Sequence, residues 1–523
     1  MKRTKIVATI GPASEKQKTL EVMMKAGMNV CRLNMSHGTY AWHSRAIRTI
    51  LKAAKKVKEP IAILLDLQGP KARIGELGGK SLPAGKAGYE LRVGRKVIFT
   101  TQSNNSITHN PITKIPIAVP SFHEYVKKGS HLLIADGTIE CVVEEVRGRD
   151  IHARVTLGGE LKSHKGIAIA GVSLPLPSLT EKDKKDIAWG IKKDIDFVAL
   201  SFVKTAADVM ALRKLLTTPN PSSERRGNVN DFPPLLKRVE DGLSERKPRG
   251  SGGVLQMIVK IETREAIDNF DEILAEADGI MVARGDLAIA TSPEEVPLFQ
   301  KEIVEKCRRA AKPVIVATEM LASMERSPRP TRAEASDVAN AVIDHTDATM
   351  LSGESAGGQF PVEAVSTMAS IIERTEESRF DDLSISMRTS HGTGEEEAAL
   401  IASVFARTGK ASAIVAGSLT GHTGRLLSRY RTEVPLFLGS PARRVVRQLS
   451  LSWGIQPFLI SRVKSMDTLL KILLQYARYG VASERMRRGA SSRSLLRKGN
   501  KVIFLGSEKM TPHGQNFVGM RTL

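Results

Sequence analysis

The chain has 523 residues, 41% of them hydrophobic and 26% charged, which is typical of a globular protein with about two to four domains. Its net charge of +22 raises the question of nucleic-acid binding, but aromatic residues make up only 4% of the chain and leave few surfaces for base stacking. We therefore expect no nucleic-acid partner, because a basic surface that attracts anionic metabolites accounts for the charge equally well.

The cysteines and the N-terminal segment indicate where the protein resides. Cys31, Cys141 and Cys307 are scattered, without a CxxC pair or metal-ligand spacing, which favours a reducing compartment. The apolar run from Ile6 to Ile10 is too short for a signal peptide, and no later run reaches the length of a membrane span. We expect a cytoplasmic protein without a membrane partner.

Short apolar segments of strand length recur along the chain and alternate with helical patterns such as those over 19–26 and 266–277. Near-continuous apolar strands between helices are typical of a buried parallel sheet. Eight segments have this character: Lys5–Ile10, Val30–Leu33, Ile61–Asp66, Phe197–Ser201, Met257–Ile261, Gly279–Val282, Val314–Ala317 and Ala348–Leu351. This α/β pattern fits a closed (β/α)8 TIM barrel better than the open doubly wound sheet that is the alternative.

The alternation is interrupted once, between Lys71 and about Pro177, where short strands and turns predict an inserted β-barrel lid domain. The predicted lid strands are Leu91–Thr100, Pro116–Val119, Leu132–Ala135, Ile139–Val146 and Ile151–Val155. We therefore predict a barrel domain over 1–71 and 178–380 and a lid over 72–177.

A stretch rich in Ser, Thr, Gly and Glu around 384–396 has the composition of a linker. We predict a C-terminal αβ domain over 381–523 for regulation or oligomerisation, with strands at Ala413–Ala416, Leu436–Leu438, Pro457–Ile460 and Val502–Leu505. Two basic stretches, 217–253 and 485–498, are interpreted as surface insertions.

Polar side chains follow seven of the eight predicted barrel strands, at the end where such barrels carry their reactive groups. In chain order they are Arg32, Asn34, Ser36, His37, Asp66, Ser201, Lys204, Lys260, Glu262, Arg284, Gly285, Asp286, Thr318, Glu319, Ser352 and Glu354. Lys260 and Glu262 share one strand face because side chains alternate along a strand. With Asp286 they suit a hard cation and an anionic oxygen substrate, whereas the alternative is a strand-end salt bridge.

These motifs resemble those of the pyruvate kinase family over nearly the whole chain. The matching segments are Thr4–Pro12, Cys31–Gly38, Asp66–Lys71, Ile258–Glu262, Met281–Leu287, Ala317–Leu321 and Met350–Glu354. The resemblance implies a barrel, a β lid and a C-terminal αβ domain. It also implies Mg²⁺-dependent transfer of the phosphoryl group of phosphoenolpyruvate to ADP, which yields pyruvate and ATP as the last step of glycolysis, and a homotetramer.

The resemblance also implies roles for individual residues. Glu262 and Asp286 would hold Mg²⁺, with Mn²⁺ as an alternative, and Lys260 and Arg32 would neutralise the transferring phosphoryl group. The other implied roles are substrate contacts from Gly285, Asp286 and Thr318, a proton path through Ser352, and nucleotide contacts from Pro12, Asn34, His37, Arg73 and Lys165. His37 taken alone would more often be a structural histidine.

One departure from the family concerns a monovalent cation. Many members hold K⁺ with residues that match Asn34, Ser36, Asp66 and the position after Asp66. Here that position is Leu67, which has no side-chain oxygen, and Lys71 stands where such members carry a glutamate. An ammonium group there replaces the missing charge and repels a second cation. We predict an enzyme that does not require K⁺; the alternative is a solvated lysine in the lid hinge.

A hydroxyl- and glycine-rich turn in the third domain carries Ser418, Thr420 and Thr423 between a strand and a helix. Such a turn suits the phosphate of an effector, and an ordinary N-cap turn is the alternative. Ala288 and Ala290 also depart from the family pattern but leave the predicted metal ligands intact, so we expect activity. Two rival functions stay open: another Mg²⁺-dependent enolate-handling barrel enzyme, and a basic nucleic-acid-binding protein.

Overall fold

The computed structural model of the chain describes residues 2–77, 89–102, 109–110, 112–135, 137–172, 174–217, 254–382, 393–461, 466–479, 496–497, 499–507 and 516–523. The predicted insertions therefore lie almost wholly outside the described residues. Among the described residues, no helix combines the length and the apolar character needed to cross a membrane.

The strands and helices alternate in the barrel and in the C-terminal part, and strands alone dominate the segment between 89 and 169. The strands are β1 (Lys5–Thr9), β2 (Val30–Asn34), β3 (Ala62–Asp66), β4 (Tyr89–Leu91), β5 (Lys96–Thr100), β6 (His109–Asn110), β7 (Ile112–Pro116), β8 (His131–Ile134), β9 (Ile139–Arg147), β10 (Asp150–Leu157), β11 (Gly159–Leu161), β12 (Ile167–Ile169), β13 (Phe197–Leu200), β14 (Gln256–Ile261), β15 (Gly279–Ala283), β16 (Val314–Ala317), β17 (Ala348–Leu351), β18 (Ala413–Gly417), β19 (Leu436–Ser440), β20 (Ile455–Leu459), β21 (Lys501–Ser507) and β22 (Asn516–Thr522). The α-helices are α1 (Gln17–Ala26), α2 (Tyr40–Val57), α3 (Glu181–Gly190), α4 (Ala206–Thr217), α5 (Arg264–Asp268), α6 (Phe270–Glu276), α7 (Arg284–Ala290), α8 (Val296–Arg309), α9 (Arg332–Ile343), α10 (Gly353–Ala356), α11 (Pro361–Glu376), α12 (Gly394–Phe405), α13 (His422–Ser428), α14 (Arg443–Leu449) and α15 (Met466–Tyr479).

Eight parallel strands close into the predicted barrel. Their order is β1-β17-β16-β15-β14-β13-β3-β2, and β1 pairs with both β2 and β17, so the sheet has no edge. Each predicted strand is present to within one residue at either end. Because the sheet is closed, the open doubly wound alternative is ruled out. Side chains such as Ile258, Met281 and Ile315 fill the interior, and a larger apolar cluster lies between the strands and the surrounding helices.

The inserted β domain is also confirmed, although its main sheet differs in detail from the prediction. Seven strands form a sheet in the order β12-β8-β9-β10-β5-β7-β6, with β11 and β4 in a separate pair, so the described strands form an open sheet rather than a closed barrel. The predicted strand 91–100 is broken into β4 and β5 by a turn in which Gly94 has φ +83°. The predicted helix 266–277 is likewise divided, at Asn269.

The C-terminal αβ domain, confirmed by a sheet of order β20-β19-β18-β21-β22, covers the base of the barrel, where the strands begin. Leu451 of this domain joins the apolar cluster inside the barrel. Arg431 is buried and its Nη2 lies 2.9 Å from Asp347 Oδ2, one residue before β17. Arg447 Nε forms an ion pair with Asp196 Oδ1, just before β13, at 2.9 Å. The opposite end of the barrel, here called the mouth, is the end that faces the lid.

Candidate active site

The floor of the mouth is built from charged side chains at the ends of β2, β3 and β14. Lys260 Nζ lies 2.8 Å from Glu262 Oε1 and 3.5 Å from Asp66 Oδ1, and it donates a hydrogen bond to Ser201 Oγ at 2.8 Å. Arg32 Nε donates to Asp66 Oδ2 at 2.6 Å. Two cations and two carboxylates from neighbouring strands therefore converge on one point, as the sequence predicts.

The charges of this floor control each other's protonation. Burial alone would raise the pKa of Asp66, but the charges of Lys260 and Arg32 hold it below its usual value. Burial would lower the pKa of Lys260, but the charges of Asp66 and Glu262 raise it above its usual value, so the ammonium form persists. A lysine whose ammonium form is favoured in this way, and which has neighbours on three sides, is preorganised to stabilise a negative oxygen.

Glu262, like Asp66, has one buried oxygen without a hydrogen bond. Its Oε2 accepts a hydrogen bond from the Phe202 N–H at 2.7 Å, whereas its buried Oε1 has no partner in hydrogen-bond geometry despite the nearby Lys260. Burial raises the pKa of Glu262, the charge of Lys260 offsets only part of this, and the negative charge of Asp286 raises it further. A cation placed between Glu262 and Asp286 would relieve this repulsion.

Asp286 lies at the start of α7, and its partner comes from the lid hinge. Lys71 Nζ donates to Asp286 Oδ1 at 2.8 Å. The same hinge pairs with the lid segment 164–167: Ile74 N donates to Lys165 O at 2.8 Å, and Arg73 forms an isolated antiparallel bridge with Gly166. Lys71 was predicted to lie beside the monovalent-cation residues, whereas the structure directs its ammonium group to the carboxylate predicted for Mg²⁺.

The wall formed by β15 and β16 carries Thr318 and Gly285. Gly285 N donates to Thr318 Oγ1 at 2.8 Å, so a substrate oxygen at this N–H would compete with the threonine hydroxyl. Thr318 and Glu319 both have positive φ, +69° and +55°, which is strained for residues with a β-carbon. Arg284 maintains this turn: it donates to Thr318 O at 2.7 Å and is paired with Asp337.

Ser352 lies after β17 and is held by a carboxylate rather than by the charged floor. Its N–H donates to Glu354 Oε2 at 2.7 Å, and the other oxygen of Glu354 accepts from Leu321 N at 3.1 Å. Burial raises the pKa of Glu354, and these backbone hydrogen bonds offset part of the rise. Glu354 therefore ties the ends of β16 and β17 together and positions the predicted proton path.

Two of the predicted nucleotide residues, Arg73 and Lys165, place positive charge at the rim of the mouth near His37. Burial lowers the pKa of His37, and the nearby charges of Arg73, Lys165 and Arg32 lower it further. Arg73 also donates to His164 O at 2.8 Å. Pro12 is exposed in the loop after β1. Such a rim suits the phosphates of a nucleotide.

The residues of the predicted monovalent-cation region are engaged with the chain itself. Asn34 Oδ1 accepts from the Ser36 N–H at 3.0 Å, and both oxygens of Asp66 face Arg32 or Lys260. The Leu67 side chain is buried in the apolar cluster outside the barrel strands, and only its backbone carbonyl reaches the site, where it accepts from Ser201 Oγ.

Two further residues contribute to the floor: Ser201, which the sequence placed among the polar strand ends, and Thr9, which was missed. Thr9, at the end of β1, accepts a hydrogen bond from Arg32 Nη1 at 2.8 Å, and Ser201 links Lys260 to the Leu67 carbonyl. The polar end of β1 was the one strand end out of eight left without a role. Applying the strand-end rule to every strand would have found Thr9.

The predicted effector loop has the contacts of a helix-capping turn. Ser418 Oγ accepts from Gly421 N at 2.9 Å, and Thr420 Oγ1 accepts from His422 N at 3.3 Å. Gly421 has φ +82°, a conformation that favours glycine. The effector role of Ser418, Thr420 and Thr423 stays a prediction.

Comparison with known proteins agrees with this arrangement. Residues 1–224 and 238–365 match the family model "Pyruvate kinase, barrel domain", and residues 396–519 match "Pyruvate kinase, alpha/beta domain". The chain belongs to the pyruvate kinase family. The unmatched residues 225–237 fall within the predicted insertion 217–253, and the match favours this family over the other enolate-handling barrel enzymes.

Individual relatives give the same result. The chain is 42% identical over 482 residues to a pyruvate kinase of Sporosarcina psychrophila. This match covers 90% of this chain and 74% of the relative. It is 39% identical over 472 residues to a pyruvate kinase of Clostridium acetobutylicum, a match that covers 90% of this chain and 91% of the relative. It is 41% identical over 480 residues to a pyruvate kinase of Geobacillus stearothermophilus, and this match covers 91% of this chain and 75% of the relative. The chain is thus an enzyme of the kinase class, and membership implies phosphoenolpyruvate and ADP as substrates.

Proposed function

We propose that the chain catalyses Mg²⁺-dependent transfer of the phosphoryl group from phosphoenolpyruvate to ADP, and that it does so without K⁺. The observation that carries this proposal is the convergence of Lys260, Arg32, Asp66 and Glu262 at the barrel mouth, beside Asp286. The proposal includes a cytoplasmic location and a homotetramer, as expected from the sequence.

The carboxylates present fit a magnesium ion. Over the described ranges no group of three or more His, Cys, Asp or Glu residues is arranged to hold a metal. Mg²⁺ commonly binds one or two carboxylates and takes its other ligands from phosphate oxygens and water. Glu262, with a buried oxygen that lacks a hydrogen bond, and Asp286 would supply those two. The ion would polarise the phosphoryl oxygens and neutralise charge that develops during transfer.

The remaining steps depend on the chain's own residues. Lys260, held protonated by Asp66 and Glu262, would contact the transferring phosphoryl group from the floor of the mouth. Arg32 would contact the same group from the side of β2. The cationic side chains of Arg73 and Lys165, together with the His37 imidazole, would bind the phosphates of ADP. The Thr318 hydroxyl, fixed by a strained backbone, would border the enolate carbon that is protonated to give pyruvate.

Independence from K⁺ is supported by two features of the hinge. Leu67 points into the apolar cluster and has no side-chain oxygen for a cation. Lys71 carries a fixed positive charge into the mouth, at Asp286 rather than directly beside Asn34, Ser36 and Asp66. In Lys71→Glu this charge is reversed, so we expect activity to fall at least about tenfold without K⁺ and to recover when KCl is added. If the variant responded to KCl no more than the wild type, the role of Lys71 would be wrong.

A coupled assay tests the activity itself. With phosphoenolpyruvate, ADP and Mg²⁺, pyruvate formation should require all three, and chelation of divalent cations with EDTA should abolish it. Pyruvate formation that did not depend on ADP would instead favour an enolate-handling lyase. A basic nucleic-acid-binding protein would form no pyruvate and would bind DNA with an affinity that falls steeply with salt.

A further inference from the structure

The ion pair between Lys71 and Asp286 places a cation of the chain on a carboxylate that is proposed to bind Mg²⁺. The two groups are 2.8 Å apart, and their side chains are only 20% and 26% exposed. Glu262, the other proposed ligand, is fully buried next to Asp286. An ammonium group and a metal ion cannot share the same face of one carboxylate, because both are positive and both need the oxygen lone pairs.

The Lys71 side chain is also enclosed by the lid. A β-carbon at Gly166 would lie 2.5 Å from Lys71 Cε and 3.4 Å from its Nζ, so the lysine passes directly over the glycine. The same lid segment, 164–167, pairs with the hinge, since Ile167 N donates to Ala72 O at 2.9 Å. The Lys71 side chain therefore lies against the lid segment through its Cε and pairs with the barrel carboxylate Asp286 through its Nζ.

The lysine has space for a second position. A cavity of about 90 Å³ lies between the lid and the barrel, and Lys71, Gly166, Glu262 and Asp286 all line it. Its other walls are mainly apolar and include Ala290, one of the departures from the family pattern. A displaced side chain can thus move within the mouth without unfolding the hinge.

We infer that Lys71 is an internal counter-cation of Asp286, which a divalent cation must displace, so that metal binding releases one link between the lid and the barrel. The inference rests on the proposed function, because it takes Asp286 to be a metal ligand. Lys71 is then a positioning residue with two positions: on Asp286 before the metal binds, and free to face the phosphoryl group afterwards.

Binding of Mn²⁺ to the full-length protein without substrates tests this inference, with free Mn²⁺ measured by electron paramagnetic resonance. Lys71→Met removes the competing charge and should tighten Mn²⁺ binding about tenfold. The matched control is Lys114→Met: Lys114 pairs with Asp150 at 2.9 Å in the lid, with side chains 21% and 23% exposed, but is far from the metal ligands in the lid sheet. This control should stay within about twofold of the wild type.

Three outcomes separate the inference from the proposed function. Equal or weaker Mn²⁺ binding by Lys71→Met would overturn the inference, and Lys71→Gln repeats the test if the methionine variant does not fold. Asp286→Asn should lose Mn²⁺ binding; if it kept wild-type affinity, the metal assignment itself would fail. Loss of binding in Asp286→Asn together with no change in Lys71→Met would reject the inference alone.

Hydrogen exchange reports on the lid link. In the wild type, saturating Mn²⁺ should increase amide exchange in the hinge (residues 71–74) and in the lid segment paired with it (residues 165–167), because one contact to the barrel is lost. In Lys71→Met this increase should be absent, since the link is already missing. The same increase in both proteins would contradict a displacement of Lys71.

Discussion

The two ends of the barrel both contain buried charges, but they use them differently. At the base, Asp347 accepts hydrogen bonds from Trp453 N and Val314 N and is paired with Arg431 at 2.9 Å, so each of its oxygens is satisfied. At the mouth, Asp66 Oδ1 and Glu262 Oε1 are buried without a hydrogen bond. The base thus holds domains together, while the mouth keeps binding capacity for a substrate and a cation.

The largest effect is expected at the mouth. Lys260→Met removes the cation proposed to face the transferring phosphoryl group, so kcat should fall about 10³-fold in a coupled assay. Circular dichroism and the thermal midpoint show whether the variant is folded, because Asp66 and Glu262 lose a buried partner. Equal rates in a folded variant would refute the assignment of Lys260.

The base should respond in stability rather than in activity. Arg431→Met leaves the buried Asp347 carboxylate without its cation, and we expect a loss of about 3–5 kcal/mol in the free energy of unfolding, measured with urea. At 25 °C the folded variant should keep kcat within about twofold, because the base is remote from the mouth. A large fall in kcat with unchanged stability would contradict the division of roles between the two ends.

A smaller effect is expected when the hinge lysine is moved rather than removed. Gly166→Ala adds a β-carbon 2.5 Å from Lys71 Cε, so the flexible lysine must shift off Asp286 and Mn²⁺ should bind about threefold tighter. Gly357→Ala is the control, because a β-carbon there meets nothing within 4 Å. Mn²⁺ affinities that rose equally in both variants would point to a general effect and not to Lys71.

The smallest effect concerns pH. Since the pKa of His37 is lowered in the folded protein, the unfolded chain takes up a proton first as the pH falls below the ordinary histidine value, and stability is lost there. Between pH 7 and 5 the thermal midpoint of the wild type should therefore fall more than that of His37→Gln, by less than about 2 °C because the side chain is exposed. A steeper fall in the variant would contradict the lowered pKa.

The barrel and most of its floor could be predicted because local patterns determine them. Apolar segments indicate strands, and parallel strands bring their polar ends to one mouth, so Lys260, Asp66 and Glu262 were expected to meet. The Lys71–Asp286 contact could not be predicted in this way. It joins residues 215 positions apart and depends on how the lid hinge turns toward the barrel.

Other details depend on tertiary context as well. The break between α5 and α6 at Asn269 lies within a continuous helical pattern, and Asn269 side-chain Nδ2 donates to Lys204 O instead of continuing the helix. The positive φ of Thr318 is maintained by Arg284, whose partner Asp337 is 53 positions away. Neither local propensity nor the strand pattern contains this information.

The central claim is a phosphoryl-transfer site that supplies its own monovalent charge from the lid hinge. The most direct test is a titration of the wild-type protein with KCl in a buffer free of Na⁺ and K⁺, with phosphoenolpyruvate, ADP and Mg²⁺ saturating and pyruvate formation as the readout. We predict full activity at the start and a change of less than about twofold on adding KCl. Activation by an order of magnitude or more would contradict the account.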